Sequence, residues 1–494
     1  MTFQNDDKPI EILTYNSQLA SNGITIFGSY YNNYSAAIDM NGNEVWNSGG
    51  INTFVFFNAD ENNNLFGGKI LPEFNSSLIG CEYSINNEYL WSEPIGEEVL
   101  DGEAFIQHEI VKLPNGNYMG FVPIVEKHPI PTSEDFSSIN SPFSWEEDYE
   151  DYIDNGISYD WKGEKIVEWD KDTGGIVWEW SAFDYFSLDD FDYLAGHWET
   201  AWDNHLPFDW IHFNALVYNE PENALYVSSR HLDRISKIDY SSKEIIWNLG
   251  IQWLGDEVIS PDTLFSGQHG LQILPNGNIV TLDNGILSQF TTAGLTAPVS
   301  RAIELEIVEE NNVYSANTIW SYTLPPELYG ALSGNVQKLE NGNYLINTIG
   351  NEDGAHSLEI TENHETVWHC KYNLGNYDTG PLYRAMRLSS LYPMDDNTLE
   401  ISQFASPKQF RIISNYPNPF NPLTHINYEI STYSEIHLGI YNVKGEIIDV
   451  IDSGYKTPGI YHAEWYGKDI PSGVYFLQLS NQIEKQTLKL ILLK

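Results

Sequence analysis

His108-Glu-Ile-Val-Lys-Leu-Pro-Asn-Gly-Asn117 returns further along the chain as His269-Gly-Leu-Gln-Ile-Leu-Pro-Asn-Gly-Asn278. A third copy, Gly334-Asn-Val-Gln-Lys-Leu-Glu-Asn-Gly-Asn343, begins with glycine. A looser copy, His212-Phe-Asn-Ala-Leu-Val-Tyr-Asn219, continues through Glu220 to Leu225. Each is an apolar alternation that runs into turn residues, because Asn and Gly tolerate positive φ and close hairpins. Strands closing on tryptophan recur between them, at Trp46, Trp91, Trp178, Trp247, Trp320 and Trp368. Phe57-Asn-Ala-Asp-Glu-Asn-Asn-Asn-Leu65 fronts the second of these units. Short alternating strands between Gly, Asn and Asp turns, repeated every ~40 residues or more, predict a closed radial β structure. No stretch keeps a 3.6-residue period long enough for an α/β alternative. The expected fold is all-β, with a six-bladed β-propeller over residues 20–395 after a lead-in at residues 1–19. The closing tryptophans are expected to pack between neighbouring blades.

Composition bounds the rest. A chain of 494 residues, 41% hydrophobic, is long enough for one large and one small domain. It has no apolar run long enough to cross a membrane as a helix. Its net charge of −46 repels phosphate backbones, which excludes nucleic acid as a partner. The charge is uneven. Residues 409–494 hold seven basic and eight acidic residues, a net of −1, which leaves −45 for residues 1–408. That shift marks a domain boundary. Cys81 and Cys370 have no metal-binding spacing and read as two isolated buried thiols, with a bridge as the alternative. Met1-Thr-Phe-Gln-Asn-Asp-Asp7 has neither the basic nor the apolar region of a signal peptide, which leaves a cytoplasmic protein or one whose leader is removed or missing.

The repeat stops near Ser406, and residues 396–409 read as a linker. Three prolines within Asn415-Tyr-Pro-Asn-Pro-Phe-Asn-Pro422 exclude a helix there. Six short strands follow, separated by Lys-Gly and Pro-Ser-Gly turns, which predicts a small immunoglobulin-like β-sandwich over residues 410–494. Tyr416-Pro-Asn-Pro-Phe-Asn-Pro422, Tyr441-Asn-Val-Lys-Gly445, Pro471-Ser-Gly-Val-Tyr-Phe476 and Lys489-Leu-Ile-Leu-Leu-Lys494 resemble a type IX secretion C-terminal sorting domain. The resemblance implies the type IX secretion machinery as a partner and a secreted or cell-surface location.

Histidine is 13 of 494 residues, so three at four aligned repeat positions would arise by chance about once in ten thousand. Equivalent positions of a radial repeat meet near its axis, which brings His108, His212 and His269 together. Asn214 shares a strand face with His212. Arg230, in Val227-Ser-Ser-Arg-His231, closes the next strand of that blade and invites an anion. Two chemistries fit these residues. Three histidines can hold zinc, as in a metal-dependent hydrolase. Alternatively, one is a nucleophile and another an acid/base, with Arg and Asn gripping a transferred anion. A propeller that only binds sulfated ligands stands beside both.

Asp209-Trp-Ile-His-Phe-Asn214, Ser228-Ser-Arg-His231, Lys237-Ile-Asp239, Ile245-Ile-Trp-Asn-Leu-Gly250, Gln268-His269, Leu274-Pro-Asn-Gly-Asn278 and Asp283-Asn-Gly285 follow one another in order. Over about residues 100–350 they resemble the arylsulfate sulfotransferases that use no nucleotide donor. That family is a six-bladed propeller. The resemblance implies that His269 takes sulfuryl from a phenolic sulfate ester as a sulfohistidine. It makes His108 and His212 the residues that bind sulfate oxygens and manage the phenol proton. Asn214 and Arg230 become the sulfate clamp, completed by Thr348. It implies ping-pong transfer to a phenolic acceptor, with no metal and no cofactor. The segments 132–165 and 181–209 are expected as long aromatic and acidic loops over the site. Trp198, Trp202, Phe208 and Trp210 are their candidates for stacking on an aryl ring.

Overall fold

The computed structural model describes residues 9–29, 34–48, 53–60, 62–70, 78–94, 107–129, 158–259, 264–292, 294–311, 313–350, 354–373, 382–391, 410–416, 418–430, 434–456, 459–468, 470–481 and 484–493. The chain divides into two compact units, residues 1–394 and 395–494, and is all-β in both.

Among its described residues the first unit folds as six antiparallel sheets. Sheet I is Leu382–Leu388, Ile24–Ser29, Tyr34–Ile38 and Glu44–Asn47, and sheet II is Phe54–Ala59, Leu65–Ile70, Leu78–Tyr83 and Tyr89–Ser92. Sheet III is Gln107–Lys112, Tyr118–Pro129, Ser158–Trp169 and Ile176–Ser181, with Phe208–Asp209 added in parallel. Sheet IV is Phe213–Asn219, Ala224–Ser229, Arg234–Asp239 and Ile245–Gly250. Sheet V is His269–Ile273, Ile279–Asp283, Arg301–Glu310 and Val313–Thr323. Sheet VI is Asn335–Lys338, Tyr344–Thr348, Ala355–Ile360 and Thr366–Tyr372, with Ile10–Tyr15 as a fifth strand. The first strand of each sheet packs on that of the next, and sheet VI packs on sheet I. Two strands come from far along the chain. Leu382–Leu388 pairs with Ile24–Ser29, and Ile10–Tyr15 pairs with Thr366–Tyr372. The segment expected as a lead-in therefore supplies a strand.

The repeat explains itself in side-chain contacts. In the Asn-Gly-Asn turns Gly116, Gly277 and Gly342 hold φ of 86, 86 and 88°, which a Cβ disfavours. The second Asn of each turn donates to a buried glutamate on its own third strand: Asn117 to Glu168 at 2.7 Å, Asn278 to Glu304 at 2.6 Å, Asn343 to Glu359 at 2.7 Å. The same carboxylates reach the next sheet. Glu304 takes Lys338 at 2.7 Å and the Tyr344 hydroxyl, and Glu359 takes Arg387 at 3.2 Å. The closing tryptophans also bridge. Trp46, Trp178, Trp320 and Trp368 donate their indole N–H to the carbonyls of Ile85, Tyr240, Glu362 and Met40, each on a turn of the next sheet. Trp91 stacks on Tyr118 at 3.9 Å. Trp247 packs with Ile303 and Leu305 of sheet V.

Burial raises the Glu304 carboxyl, but hydrogen bonds from Lys338, Tyr344 and Asn278 outweigh it and leave it below its usual value. A depressed carboxylate stabilises the fold above its unfolded pKa of about 4.3 and loses that contribution as pH falls. Glu304→Gln is expected to lower the urea midpoint near neutral pH. The deficit should shrink at about pH 3.5, where the wild-type carboxylate is being protonated.

Two expectations need correction. Residues 158–165 are not loop, because Ser158–Trp169 pairs with Tyr118–Pro129 along twelve residues. Their alternation of Tyr159 and Trp161 with Asp160 and Lys162 is a strand pattern that the acidic, aromatic composition hid. Residues 181–209 are ordered by two short helices, Ala182–Tyr185 and His197–Asn204. The earlier part of the first expected loop, 132–157, lies outside the described residues.

Cys81 and Cys370 are buried thiols in separate apolar clusters. Burial pushes Cys370 up to about 12 and Cys81 in the same direction. No helix among the described residues is long and apolar enough to cross a membrane. The second unit has a three-stranded sheet, Arg411–Tyr416, Leu423–Ile430 and Gly459–Tyr466. Its four-stranded sheet is Ile447–Lys456, Ser434–Tyr441, Gly473–Ser480 and Lys485–Leu492. Ile426, Tyr428, Leu438, Trp465, Leu477 and Leu490 share its core. The 396–409 linker lies outside the described residues.

Candidate functional site

The three repeat histidines do meet. His108 opens sheet III, His212 directly precedes sheet IV and His269 opens sheet V. The rings of His108 and His212 are 4.7 Å apart, and His269 acts electrostatically on His108. His108 and His212 hold φ of 65 and 50°, left-handed values that cost a residue with a Cβ of the order of 1–3 kcal/mol. Surrounding structure must impose them. At the fourth repeat position, beside Gly334, a Cβ would sit 2.4 Å from the Asn347 carbonyl. Glycine rather than histidine is what fits there.

Two more histidines extend the row. His231 stacks on His212 at 4.6 Å and on His197, from the helix in the 181–209 segment, at 3.7 Å. Asp209 organises them: its Oδ2 lies 2.7 Å from His212 Nδ1, and its carbonyl lies 2.6 Å from His231 Nδ1. His231 Nε2 then accepts from Arg230. Burial alone would raise Asp209, but His212, His231 and Lys162 hold it well below the carboxylate range.

Four of the imidazoles, those of His108, His197, His231 and His269, are kept neutral. Burial, then His212 and His269, lower His108; burial, then Arg230, lower His269; burial, then His197 and His212, lower His231. Burial and Arg230 bring His197 to about 3. His269 Nδ1 has two acceptors, the Gly267 carbonyl at 3.0 Å and Asn284 Oδ1 at 2.8 Å. Arg230 is buried, with one Nη on His231 and the other 3.5 Å from the Ala331 carbonyl. Arg384, on the closing strand of sheet I, binds Glu109 at 2.6 Å, the Phe57 carbonyl at 3.3 Å and the Asn214 carbonyl. Tyr383 beside it sits 3.0 Å from His108 Nδ1.

Four of the other expected site residues are buried. Asn214 is fully buried, and its amide donates to the Gln268 carbonyl at 2.6 Å, tying sheet IV to sheet V. That bond uses one of its two amide N–H groups. Thr348 is fully buried between the Leu328 carbonyl and the Gly350 N–H, at 3.1 and 3.2 Å. Trp198 and Trp210 are wholly buried in the core around Phe208, and Trp202 packs against them. Trp210 donates to the Asp190 carbonyl at 2.6 Å. The buried rings of Trp198 and Trp210 help to order residues 181–209, while Trp202 is partly exposed.

Glu164, one strand away, is buried with a single long contact, from the Phe213 N–H at 3.4 Å. Burial, then Asp209, raise it to about 8. The folded chain keeps a proton that the unfolded chain loses near 4.3. This contribution to stability is therefore present at low pH and lost as pH rises toward about 8. Glu164→Gln is expected to raise the urea midpoint at about pH 9 relative to wild type, with little difference at about pH 5.

Among the described residues, the ligand atoms of Asp209, His212 and His231 lie within 4.8 Å of one another, close enough to hold an ion. The set His108, His212 and His269 is not so grouped. In the Asp209 group, both histidine Nδ1 atoms already face Asp209, and His231 Nε2 faces Arg230.

Residues 145–380 match the arylsulfotransferase (ASST) family. Arg230, His212 and His269 fall inside the arylsulfotransferase match; His108, Tyr383 and Arg384 fall outside it. Residues 414–493 match the secretion system C-terminal sorting domain. No curated protein matches the chain. Among solved structures it is similar to a provisional 6-phosphogluconolactonase from Bacteroides uniformis, with 10% identity over 90% of this chain and 100% of that one and a TM-score of 0.36. It is also similar to the β-propeller domain of Cps50 (Swd1) from Myceliophteria thermophila, with 10% identity over 76% and 89% and a TM-score of 0.34.

Proposed function

We propose that the six sheets are the blades of a β-propeller over about residues 20–395, and that it is an arylsulfate sulfotransferase working through His269. Residues 410–494, within the second unit, are an immunoglobulin-like sandwich that sorts the protein through the type IX machinery to the cell surface or medium. The observation that carries the enzymatic reading is the gathering of His212 with the buried, neutral imidazoles of His108 and His269 beside the buried cation of Arg230. The family match supports it.

In this reading His269 Nε2 attacks the sulfur of a phenolic sulfate ester. The bond from sulfur to the aryl oxygen breaks, and its electron pair leaves with the phenol. His212, backed by Asp209, gives the leaving oxygen its proton. The sulfuryl group rests on His269 until a second phenol attacks sulfur. The bond from sulfur to His269 Nε2 breaks with its electron pair returning to nitrogen, the phenol gives its proton to His212, and both imidazoles are restored. Arg230 neutralises the sulfuryl oxygens, and His108 hydrogen-bonds to them. The two-step path requires ping-pong kinetics.

The test is release of 4-nitrophenol from its sulfate ester with and without added phenol. Release that depends on phenol, yields phenyl sulfate and survives chelator supports the transferase. Release without an acceptor points to a hydrolase, and chelator sensitivity then points to the Asp209–His212–His231 group.

A further inference from the structure

We propose that Asn284 is the positioning residue of His269, fixing which ring nitrogen is free, and that it ties the nucleophile to the loop that meets Arg230. The proposal rests on the transferase reading for its kinetic consequence but not for its structural one.

Asn284 is fully buried, so its hydrogen bonds must be made within the protein. Its Nδ2 donates to the Gly330 carbonyl at 2.6 Å and to the Ser333 carbonyl at 3.0 Å. Two carbonyl partners fix that atom as the nitrogen, so the oxygen faces His269 Nδ1 at 2.8 Å. The other neighbour of Nδ1 is the Gly267 carbonyl at 3.0 Å. Both neighbours accept and neither can donate, so Nδ1 carries the proton. The lone pair is then on Nε2. The same contacts reach the anion grip. Gly330 and Ser333 flank Ala331, whose carbonyl faces Arg230, and Tyr329 lies close enough to Arg230 to act on its charge. One amide thus sets the nucleophile's tautomer and its register with the cation.

The test compares Asn284→Leu and Asn284→Asp in the full chain, reading the His269 tautomer by 15N NMR and the kinetics with 4-nitrophenyl sulfate and phenol. Wild type is expected to show the Nδ1–H form alone. Asn284→Leu should admit the other tautomer and lower kcat on the order of 10–100-fold, with KM changed much less. Asn284→Asp puts a negative charge beside an imidazole that otherwise faces Arg230, His212 and Arg384. It should raise the His269 pKa and move the acid limb of the kcat profile to higher pH. A single unchanged tautomer in folded Asn284→Leu would overturn the proposal, as would an unshifted acid limb in Asn284→Asp. If wild type proves inactive on every ester while the tautomer responds as expected, the transferase reading falls and the positioning role of Asn284 stands.

Discussion

Replacing His269 with alanine should abolish phenol-dependent release of 4-nitrophenol, lowering kcat on the order of 10⁴-fold or more. The reason is that the imidazole forms the bond to sulfur, so no neighbour can substitute without a second nucleophile in line. His108 and His212 are close, but His212 is engaged with Asp209, and His108 with Tyr383. The fold should survive, because His269 contributes little apolar burial and its Nδ1 partners keep other bonds. Asn284 still donates to Gly330 and Ser333. Thermal unfolding of the variant separates a lost nucleophile from a lost fold. A folded His269→Ala protein with wild-type turnover would remove His269 from the mechanism. Radiolabelled donor should mark wild type and leave the variant unlabelled.

Arg384→Met should cost about 3–5 kcal/mol of unfolding free energy, the range for removing one partner of a buried ion pair. Arg384 sits on Leu382–Leu388, the strand from the end of the first unit that completes sheet I. Its guanidinium touches Glu109 of sheet III and the carbonyls of Phe57 in sheet II and Asn214 in sheet IV. One cation therefore joins the first strands of four sheets. Removing it strands the Glu109 carboxylate, which burial already pushes upward. The variant should be least stable at high pH, where Glu109 must either ionise unpaired or hold a costly proton. The double variant Arg384→Met/Glu109→Leu should recover part of the loss, since an apolar pair leaves no stranded charge. Urea midpoints of the two singles and the double measure this directly. A loss below about 1 kcal/mol in Arg384→Met would mean that other strand contacts close the ring.

What could be read in the chain depended on repetition. His108, His212 and His269 stood out because each begins a copy of the same segment, and radial repeats bring such positions together. Asp209, His231 and Asn284 lay within recognised stretches but at positions with no repeat counterpart. Only their distances to His212, Arg230 and His269 give them roles. His197 had no signal, because it arrives on a short helix inside a segment read as loop. For Asn214, Thr348, Trp198 and Trp210, residue type and neighbourhood suggested ligand contact, and only the structure shows that all four side chains are buried.

The sequence by itself determined the all-β class, the six repeated strand groups, the change of character near residue 410 and the three histidines. These follow from local alternation and turn chemistry, which each segment carries without its partners. The tertiary structure alone decided that Leu382–Leu388 joins a sheet begun at Ile24 and that Arg384 spans four sheets. It also decided that Asn284 orients His269. Such contacts join residues far apart in the chain, and no local pattern records which polar groups burial will force to pair.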